Sequence, residues 1–329
     1  MCSLPKVLDI SVIICTYNRS SSLQKTLDCL SRNDRTGLQV EIIVVDNNSK
    51  DDTKSVAETF AARLPLRYLV EARQGKSHAL NCALNEGGLG RIIAVLDDDM
   101  SPHADWLKGV WAICERWPDR DIFSGRTYII WPSEEVPGWA GKASIRSWIF
   151  SAVDDGHEDE ALPDGRWPLG GHFWFRAKVL VNGQRFEDLW LTEPKFVLQL
   201  AERGHTGVIG PDAVAGHRVQ PRLLDKAVAL ELAVKVGRSY AELRLKPYRR
   251  KVKQAFLFNK YPVWSRLFCV ASVFRWCCLY CLAKLYWSSD ERFVRTLCAV
   301  ERITYYRELL RVAAGAEEYG MVFWRHGLL

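Results

Sequence analysis

Nowhere in this 329-residue chain do cysteine and histidine stand together at the spacing of metal ligands. The ten Cys are scattered, at positions such as Cys15, Cys29, Cys82 and Cys114, several of them inside apolar runs. That is the usage of reduced, buried thiols, and it points to a reducing cytoplasm. Cys278 and Cys281 form one C-x-x-C, but it lies in an apolar helical run beside Cys277, which disfavours a zinc or redox centre. A secretory leader is not expected either, because Ile10 to Cys15 is too short an apolar stretch and leads straight into polar residues. Long uninterrupted apolar runs are missing as well. The most apolar stretch, Leu267 to Ala283, contains Arg275 near its centre, where a charge costs about 2.5 to 3.5 kcal/mol on insertion scales. The segments on either side are too short to cross a bilayer alone.

What is present describes a folded protein. Hydrophobic residues make up 48% of the chain and charged residues 26%, and the length allows one large domain or two ordinary ones. Only Trp is over-represented, at thirteen residues, which suits a deep core, sugar-stacking surfaces or a membrane interface. Acidic charge thins out toward the end. From Arg222 onward 20 Lys or Arg face 9 Asp or Glu, a surplus of 11, and because the whole chain carries +6 the residues before it carry −5. Such a basic region either approaches an anionic surface or is simply solvated.

The first part reads as strand-then-helix units. Ile10 to Cys15 is a strand that runs into Thr16, Tyr17, Asn18 and Arg19, followed by a helix bearing Leu23, Leu27 and Leu30. Glu41 to Asp46 is a second strand, with a carboxylate at its carboxyl end and Asn47 to Asp51 as the next corner. Leu66 to Val70 is a third, and Glu71 to Lys76 forms a polar corner before a short helix through Leu80 and Leu84. Ile92 to Leu96 is a fourth, ending in Asp97, Asp98 and Asp99. Ser101 and Pro102 are expected to cap a helix that carries Trp106, Val110, Ile113 and Trp117. Repeated units of this kind imply an α/β fold with a doubly wound sheet and a ligand at the strand carboxyl ends. Three adjacent carboxylates repel one another, so a divalent cation or solvent must compensate them there.

The segments SVIICTYNR, EIIVVDNNSKDDT, ARQGKSHALN and VLDDDMSP, in that order, resemble the family 2 glycosyltransferases, whose nucleotide-binding domain has the GT-A fold. FSGRTYIIW from Phe123, GGHFWFRAKVL from Gly170 and LAERGHTGVIGPDAVAGHRV from Leu200 extend the resemblance to about residue 220. It implies an inverting, non-processive transferase with a GT-A mixed sheet over residues 1–220 and a basic, aromatic-rich helical region over 221–329. The donor it implies is a nucleotide sugar, expected to be UDP-linked, and the acceptor a saccharide or lipid-linked saccharide. Cell-surface polysaccharide or glycolipid synthesis is the expected setting. Thr16, Tyr17, Asn18, Arg19, Asp46, Arg73, Lys76, Asp97 and Asp98 fall at donor-binding positions by this resemblance. Asp97 and Asp99 stand at the two ends of a D-x-D motif. Asp99, Asp97 and His217 are the implied ligands of Mg²⁺ or Mn²⁺, which would neutralise the departing nucleoside diphosphate.

The catalytic base is where the pattern departs. Many relatives carry Gly-Glu-Asp ahead of a helix, and counting back from Leu200 sets Thr192 and Glu193 at the Glu-Asp pair, so Glu193 is the candidate base and Asp188, of the literal Glu187-Asp188, the runner-up. Trp131, Trp139, Trp148, His172 and Trp174 either line an aromatic acceptor site or pack the core. The string VFRW at Val273 to Trp276 resembles the end of the Q-x-x-R-W motif of processive synthases, but Ser272 replaces the Gln, in keeping with single addition. Lys and Arg are dense from Lys235 to Lys260, ahead of the Trp- and Phe-rich stretch. Peripheral attachment to an anionic cytoplasmic leaflet is expected, with a soluble helical lid as the alternative, and no nucleic-acid partner. A catalytically inactive nucleotide-sugar-binding subunit and a nucleotidyltransferase are the other classes. The second is expected to carry a glycine-rich basic loop after its first strand, and Thr16-Tyr17-Asn18-Arg19 is not one.

Overall fold

The computed structural model describes residues 8–153, 158–162, 171–181, 183–188, 190–250, 262–286 and 289–313. Its chain divides into two compact units, one of residues 1–132 with 150–219 and one of residues 133–149 with 220–329. Residues 133–149, expected within the first domain, group with the C-terminal helices.

The first unit is built on a nine-stranded sheet. In chain order its elements are β1 (Ile10–Thr16), α1 (Ser20–Ser31), β2 (Val40–Asp46), α2 (Thr53–Phe60), β3 (Leu66–Val70), α3 (Lys76–Asn85), β4 (Ile92–Leu96), β5 (Met100–Pro102), α4 (Trp106–Arg116) and β6 (Ile122–Ile130). After α5 (Ala143–Ile149), which belongs to the other unit, come β7 (Glu160–Ala161), β8 (His172–Arg176), α6 (Thr192–Glu202) and β9 (Gly207–Arg218). The strand order is β3-β2-β1-β4-β8-β6-β9-β5, with β7 alongside β9. β1 to β4 run parallel, and the sheet turns mixed where β8 lies antiparallel between β4 and β6.

Cover on both faces explains why β1, β2 and β4 are almost wholly apolar between their ends, with Ser11 of β1 donating to Glu41 of β2 where both strands begin. Ile10, Val12 and Ile14 of β1, with Ile92, Ala94 and Leu96 of β4, face the layer that holds Leu23, Leu27, Trp106 and Val110. Ile13, Ile93 and Val95 face the opposite layer, with Leu80, Phe175 and Phe196. Strands covered on both faces need apolar residues at nearly every position, at about 1.5 to 3 kcal/mol for each buried Val, Ile or Leu. Polar residues are thereby confined to the ends, where β1, β2 and β4 deliver Thr16, Asp46 and Asp97.

One expected element is different. Ser101 and Pro102 do not cap α4 but lie in β5, paired with Gly216 and Ala215 of β9, and the helix begins at Trp106 after Asp105. The pairing outweighs the local capping signal because Pro102 sits at the edge of the sheet, where its missing N–H costs no ladder bond.

The second unit is helical. α5 is joined by α7 (Lys226–Arg250), α8 (Pro262–Tyr286) and α9 (Ser289–Ala313), and α9 packs along both α7 and α8. Ala241, Cys269, Tyr305 and Leu309 are buried between them, and Trp139 meets Phe293 edge-to-face at 4.9 Å. Lys251, Lys253 and Lys260 of the expected basic stretch fall outside the described residues. Among the described residues no helix is long and apolar enough to cross a membrane.

Candidate active site

The strand ends bring the acidic triplet into a framework of fixed donors. Asp98 is 2% exposed. Its Oδ1 accepts from Arg19 Nη1 at 2.7 Å and its Oδ2 from Thr16 Oγ1 at 2.7 Å. Arg19 Nη2 reaches Asp99 Oδ2, also at 2.7 Å, so one planar fork spans two neighbouring carboxylates. Burial pushes the Asp98 carboxyl up to about 7 against the pull of Arg19. Asp98 therefore anchors the corner from inside, with both oxygens satisfied by protein. A residue not singled out in the sequence completes the anchor. Arg218 donates to the carbonyls of Met100 (2.7 Å), Ser22 (3.0 Å) and Asp98 (3.1 Å) and to the hydroxyls of Ser101 and Thr26. Its only sequence signal is its place directly after His217 in GHRV.

Asp97 looks the other way. Its Oδ1 accepts from Lys76 Nζ at 2.5 Å, and the same ammonium pairs with Glu193 Oε1. Burial works to lower the Lys76 pKa, but the two carboxylates outweigh it and hold the amine well above its ordinary range. Lys76 is the first residue of α3 and Glu193 lies in the first turn of α6, so two helix starts converge on the end of β4. Gly171, at φ +88°, lies against Asp97, and a Cβ there would meet Asp97 Oδ2 at 2.2 Å. No larger residue fits without moving that carboxylate.

The two candidate bases are in different surroundings. Glu193 is buried and joined through Lys76 to Asp97. Asp188 is 72% exposed in its side chain, where it accepts from Ser77 Oγ at 3.1 Å and lies 3.7 Å from His78 Nε2.

His217 reaches the triplet from β9. Its Nε2 is 3.5 Å from Asp99 Oδ2, and its Nδ1 is 2.6 Å from the carbonyl of Phe150. Burial opposes charge on both groups, yet each favours the other's charged form: Asp99, helped by Arg19, is held well below the usual carboxylate range, and His217 is raised. One carboxylate oxygen beside one imidazole nitrogen, once that imidazole gives up its proton, is a donor pair that Mn²⁺ accepts, and the carboxylate alone serves Mg²⁺; both ions take few protein ligands and complete their shell with water and substrate phosphates. Among the described residues no group of three or more His, Cys, Asp or Glu is arranged to hold a metal by itself. The pair thus fits a cation shared with a phosphorylated substrate.

The neighbouring corners form a second polar wall. Asp46 Oδ1 accepts from Ser49 N at 2.8 Å and its Oδ2 from the Tyr68 hydroxyl. Asn47 ties the β2 corner to the β3 corner by donating to the carbonyls of Glu71 and Arg73 and accepting from Gly75 N. Arg73 grips Glu71 through Nε (3.0 Å) and Nη2 (2.8 Å), which lowers the Glu71 carboxyl to about 2. Tyr17 is exposed at the end of β1. Asn18, at φ 50°, accepts from Lys50 N and so links the β1 and β2 corners.

The aromatic candidates are mostly core. Trp139 and Trp174 are fully buried, and His172 is buried with Nε2 accepting from Trp106 Nε1 at 2.8 Å and Nδ1 beside Thr127 Oγ1 at 2.9 Å. Burial lowers the His172 pKa to about 3, so the ring is neutral. Trp131 and Trp148 are half-buried.

A mixed sheet led by four parallel strands, with Asp46 at the carboxyl end of β2 and Asp97 to Asp99 after β4, is the architecture of a GT-A domain. Residues 11–149 match the model for Glycosyl transferase family 2, so this segment is similar to that family. It is similar to the glycosyltransferase AglE of Haloferax volcanii, 38% identical over 100 residues that make up 30% of this chain and 33% of the relative. It is also similar to the GalNAc(5)-diNAcBac-PP-undecaprenol beta-1,3-glucosyltransferase of Campylobacter jejuni, 36% identical over 27% of this chain and 29% of the relative. The chain spans a third or less of the length of these curated relatives. Among solved structures, the mannosyltransferase PcManGT from Pyrobaculum calidifontis, in complex with GDP-Man and Mn²⁺, superposes with a TM-score of 0.55 at 20% identity over 95% of this chain and 90% of that one. That likeness concerns the fold.

Proposed function

We infer that the chain transfers a sugar, with inversion, from a nucleotide-sugar donor, UDP-linked by expectation, to a hydroxyl of a saccharide or lipid-linked acceptor. The observation that carries this reading is the convergence of two separate charged arrangements on the end of β4: Asp99 with His217 on one side, and Glu193 with Lys76 and Asp97 on the other.

The chemistry divides between them. Glu193 accepts the proton of the acceptor hydroxyl as its oxygen attacks the anomeric carbon, while the bond from that carbon to the diphosphate breaks on the opposite face. The electron pair leaves with the nucleoside diphosphate. Asp99 and His217 would hold a divalent cation, which would supply charge neutralisation for that leaving group. Lys76 keeps Asp97 and Glu193 in register, and Tyr17 and Asp46 flank the nucleotide side. Arg73, exposed and paired with Glu71, is a cation on the diphosphate side that would exchange this partner for the donor's phosphates. The name of the Campylobacter relative includes an undecaprenol diphosphate acceptor, which supports a lipid-linked acceptor here.

The test is a panel of nucleotide sugars assayed for nucleotide release with and without Mn²⁺ or Mg²⁺, with saccharide and lipid-linked acceptors present. Cation-dependent release from one donor class is expected. Donor binding without turnover on any acceptor would replace the transferase reading with that of a binding subunit.

A further inference from the structure

α8 is predominantly apolar, a composition that belongs in an interior, yet over its described side chains, 267–279 and 281, about half of its circumference is exposed. Leu267, Val270, Phe274, Cys277 and Cys281 recur at intervals of three and four, which aligns them in one stripe, and all are exposed. Phe268 and Cys278 flank it, and Phe268 and Phe274 are 62% and 70% exposed. The opposite side is used up within its own unit. Cys269 is buried with Tyr305 and Leu309, and Trp276 and Leu279 line a cavity of about 330 Å³ with Val294 and Cys298 of α9. The stripe extends for about 21 Å along the helix. An apolar strip of that length is far more than scattered surface side chains amount to, and such a strip marks an interaction surface.

We propose that this face of α8 docks in the interfacial layer of an anionic lipid bilayer. Two observations select this occupant. The first is charge: from Arg222 onward the chain has 20 Lys or Arg against 9 Asp or Glu, and Arg275 stands exposed at the border of the stripe. A second copy of the chain would bring the same positive surplus against itself, whereas anionic headgroups complement it. The second is length and polarity: among the described residues no helix is long and apolar enough to cross a membrane, so α8 lies in the plane of the surface with aromatic and aliphatic side chains inserted and Arg275 extended to the headgroups. The inference is independent of the transferase reading, because docking requires neither donor nor acceptor.

The experiment uses the full chain and flotation with two vesicle types, phosphatidylcholine alone and phosphatidylcholine mixed equally with phosphatidylglycerol, at low and high salt. Wild type is expected to float with the mixed vesicles, at least about tenfold more than with the neutral ones, and less at high salt. Phe274→Glu, at an exposed position that folding does not depend on, is expected to lose flotation by about tenfold or more, and Phe274→Trp to retain it. Equal flotation of wild type and Phe274→Glu would overturn the proposal, as would no preference for the anionic vesicles. A dimer in light scattering that Phe274→Glu dissociates, with no vesicle binding, would assign the face to a second copy instead. Recovery from vesicles only by detergent would overturn the in-plane mode.

Discussion

Replacing Glu193 by Gln tests the assignment of the base most directly, because the structure allows the chemical effect to be separated from the structural one. Glu193 is buried and shares Lys76 with Asp97, so the trio of one cation and two carboxylates carries one net negative charge. Gln keeps the shape, its amide oxygen still accepts from the ammonium, and Lys76 retains Asp97 at 2.5 Å as a charged partner. No buried ion is orphaned. Folding free energy should therefore change by about 1 kcal/mol or less, the scale of one hydrogen bond altered but not lost. Proton acceptance, by contrast, is abolished. Turnover should fall by about 10²- to 10⁴-fold, or about 2.7 to 5.4 kcal/mol of transition-state stabilisation, while donor affinity persists. The assay is steady-state nucleotide release with the true acceptor, alongside calorimetric donor binding and urea unfolding of the same variant. Asp188→Asn is the internal control: its carboxylate is 72% exposed and, among the described residues, is held by Ser77 and His78, so it should turn over at nearly the wild-type rate. A Glu193→Gln enzyme within a few-fold of wild type, together with an inactive but folded and donor-binding Asp188→Asn, would move the base to the Glu187-Asp188 pair and refute the reasoning.

Asp99→Ala should remove the cation-dependent part of nucleoside diphosphate binding in calorimetry with Mn²⁺, because His217 alone is a single ligand; wild-type affinity in the folded variant would remove Asp99 from the cation site. Arg218→Met should cost about 1 to 3 kcal/mol in urea unfolding, since the carbonyls of Met100, Ser22 and Asp98 lose a charged donor while Ser22 Oγ and Thr26 Oγ1 still donate to Asp98 and Thr26 Oγ1 to Met100. A loss well under 1 kcal/mol would mean that water replaces the guanidinium. His172, lowered by burial from 6.5 to about 3, gives a pH dependence of definite sign. The unfolded chain takes up a proton below about 6.5 and the folded one does not until near 3, so stability present above 6.5 is lost as the pH falls, by up to about 5 kcal/mol at pH 3. His172→Gln should flatten that acid limb in urea titrations at successive pH values, and an unchanged slope would show that His172 does not set it.

What the sequence determined by itself is the succession of corners. β1, β2 and β4 were legible because strands buried on both faces must be largely apolar, and each run ends where the chain leaves the sheet and polar residues are tolerated again, whereas the edge strand β3, half-buried and carrying Arg67, showed only as a short run of Leu, Tyr and Val. Asp97, Asp98 and Asp99 could be placed at a ligand-facing edge for the same reason. Tertiary structure alone decided how those charges are shared. Arg19 lies 79 residues before Asp98 and Lys76 lies 21 before Asp97, and nothing in local periodicity links an Arg or a Lys to one carboxylate over another. Ser101 and Pro102 carried a helix-cap signal that lost to pairing with a strand more than a hundred residues away. His172, Trp139 and Trp174 have side chains that serve a sugar site or a core equally well, and only the packing around them makes them core. The apolar character of α8 was visible in the sequence, but which half of the helix is covered depends on α9 and its neighbours. Composition decides whether a residue can be buried, and long-range chain closure decides whether it is.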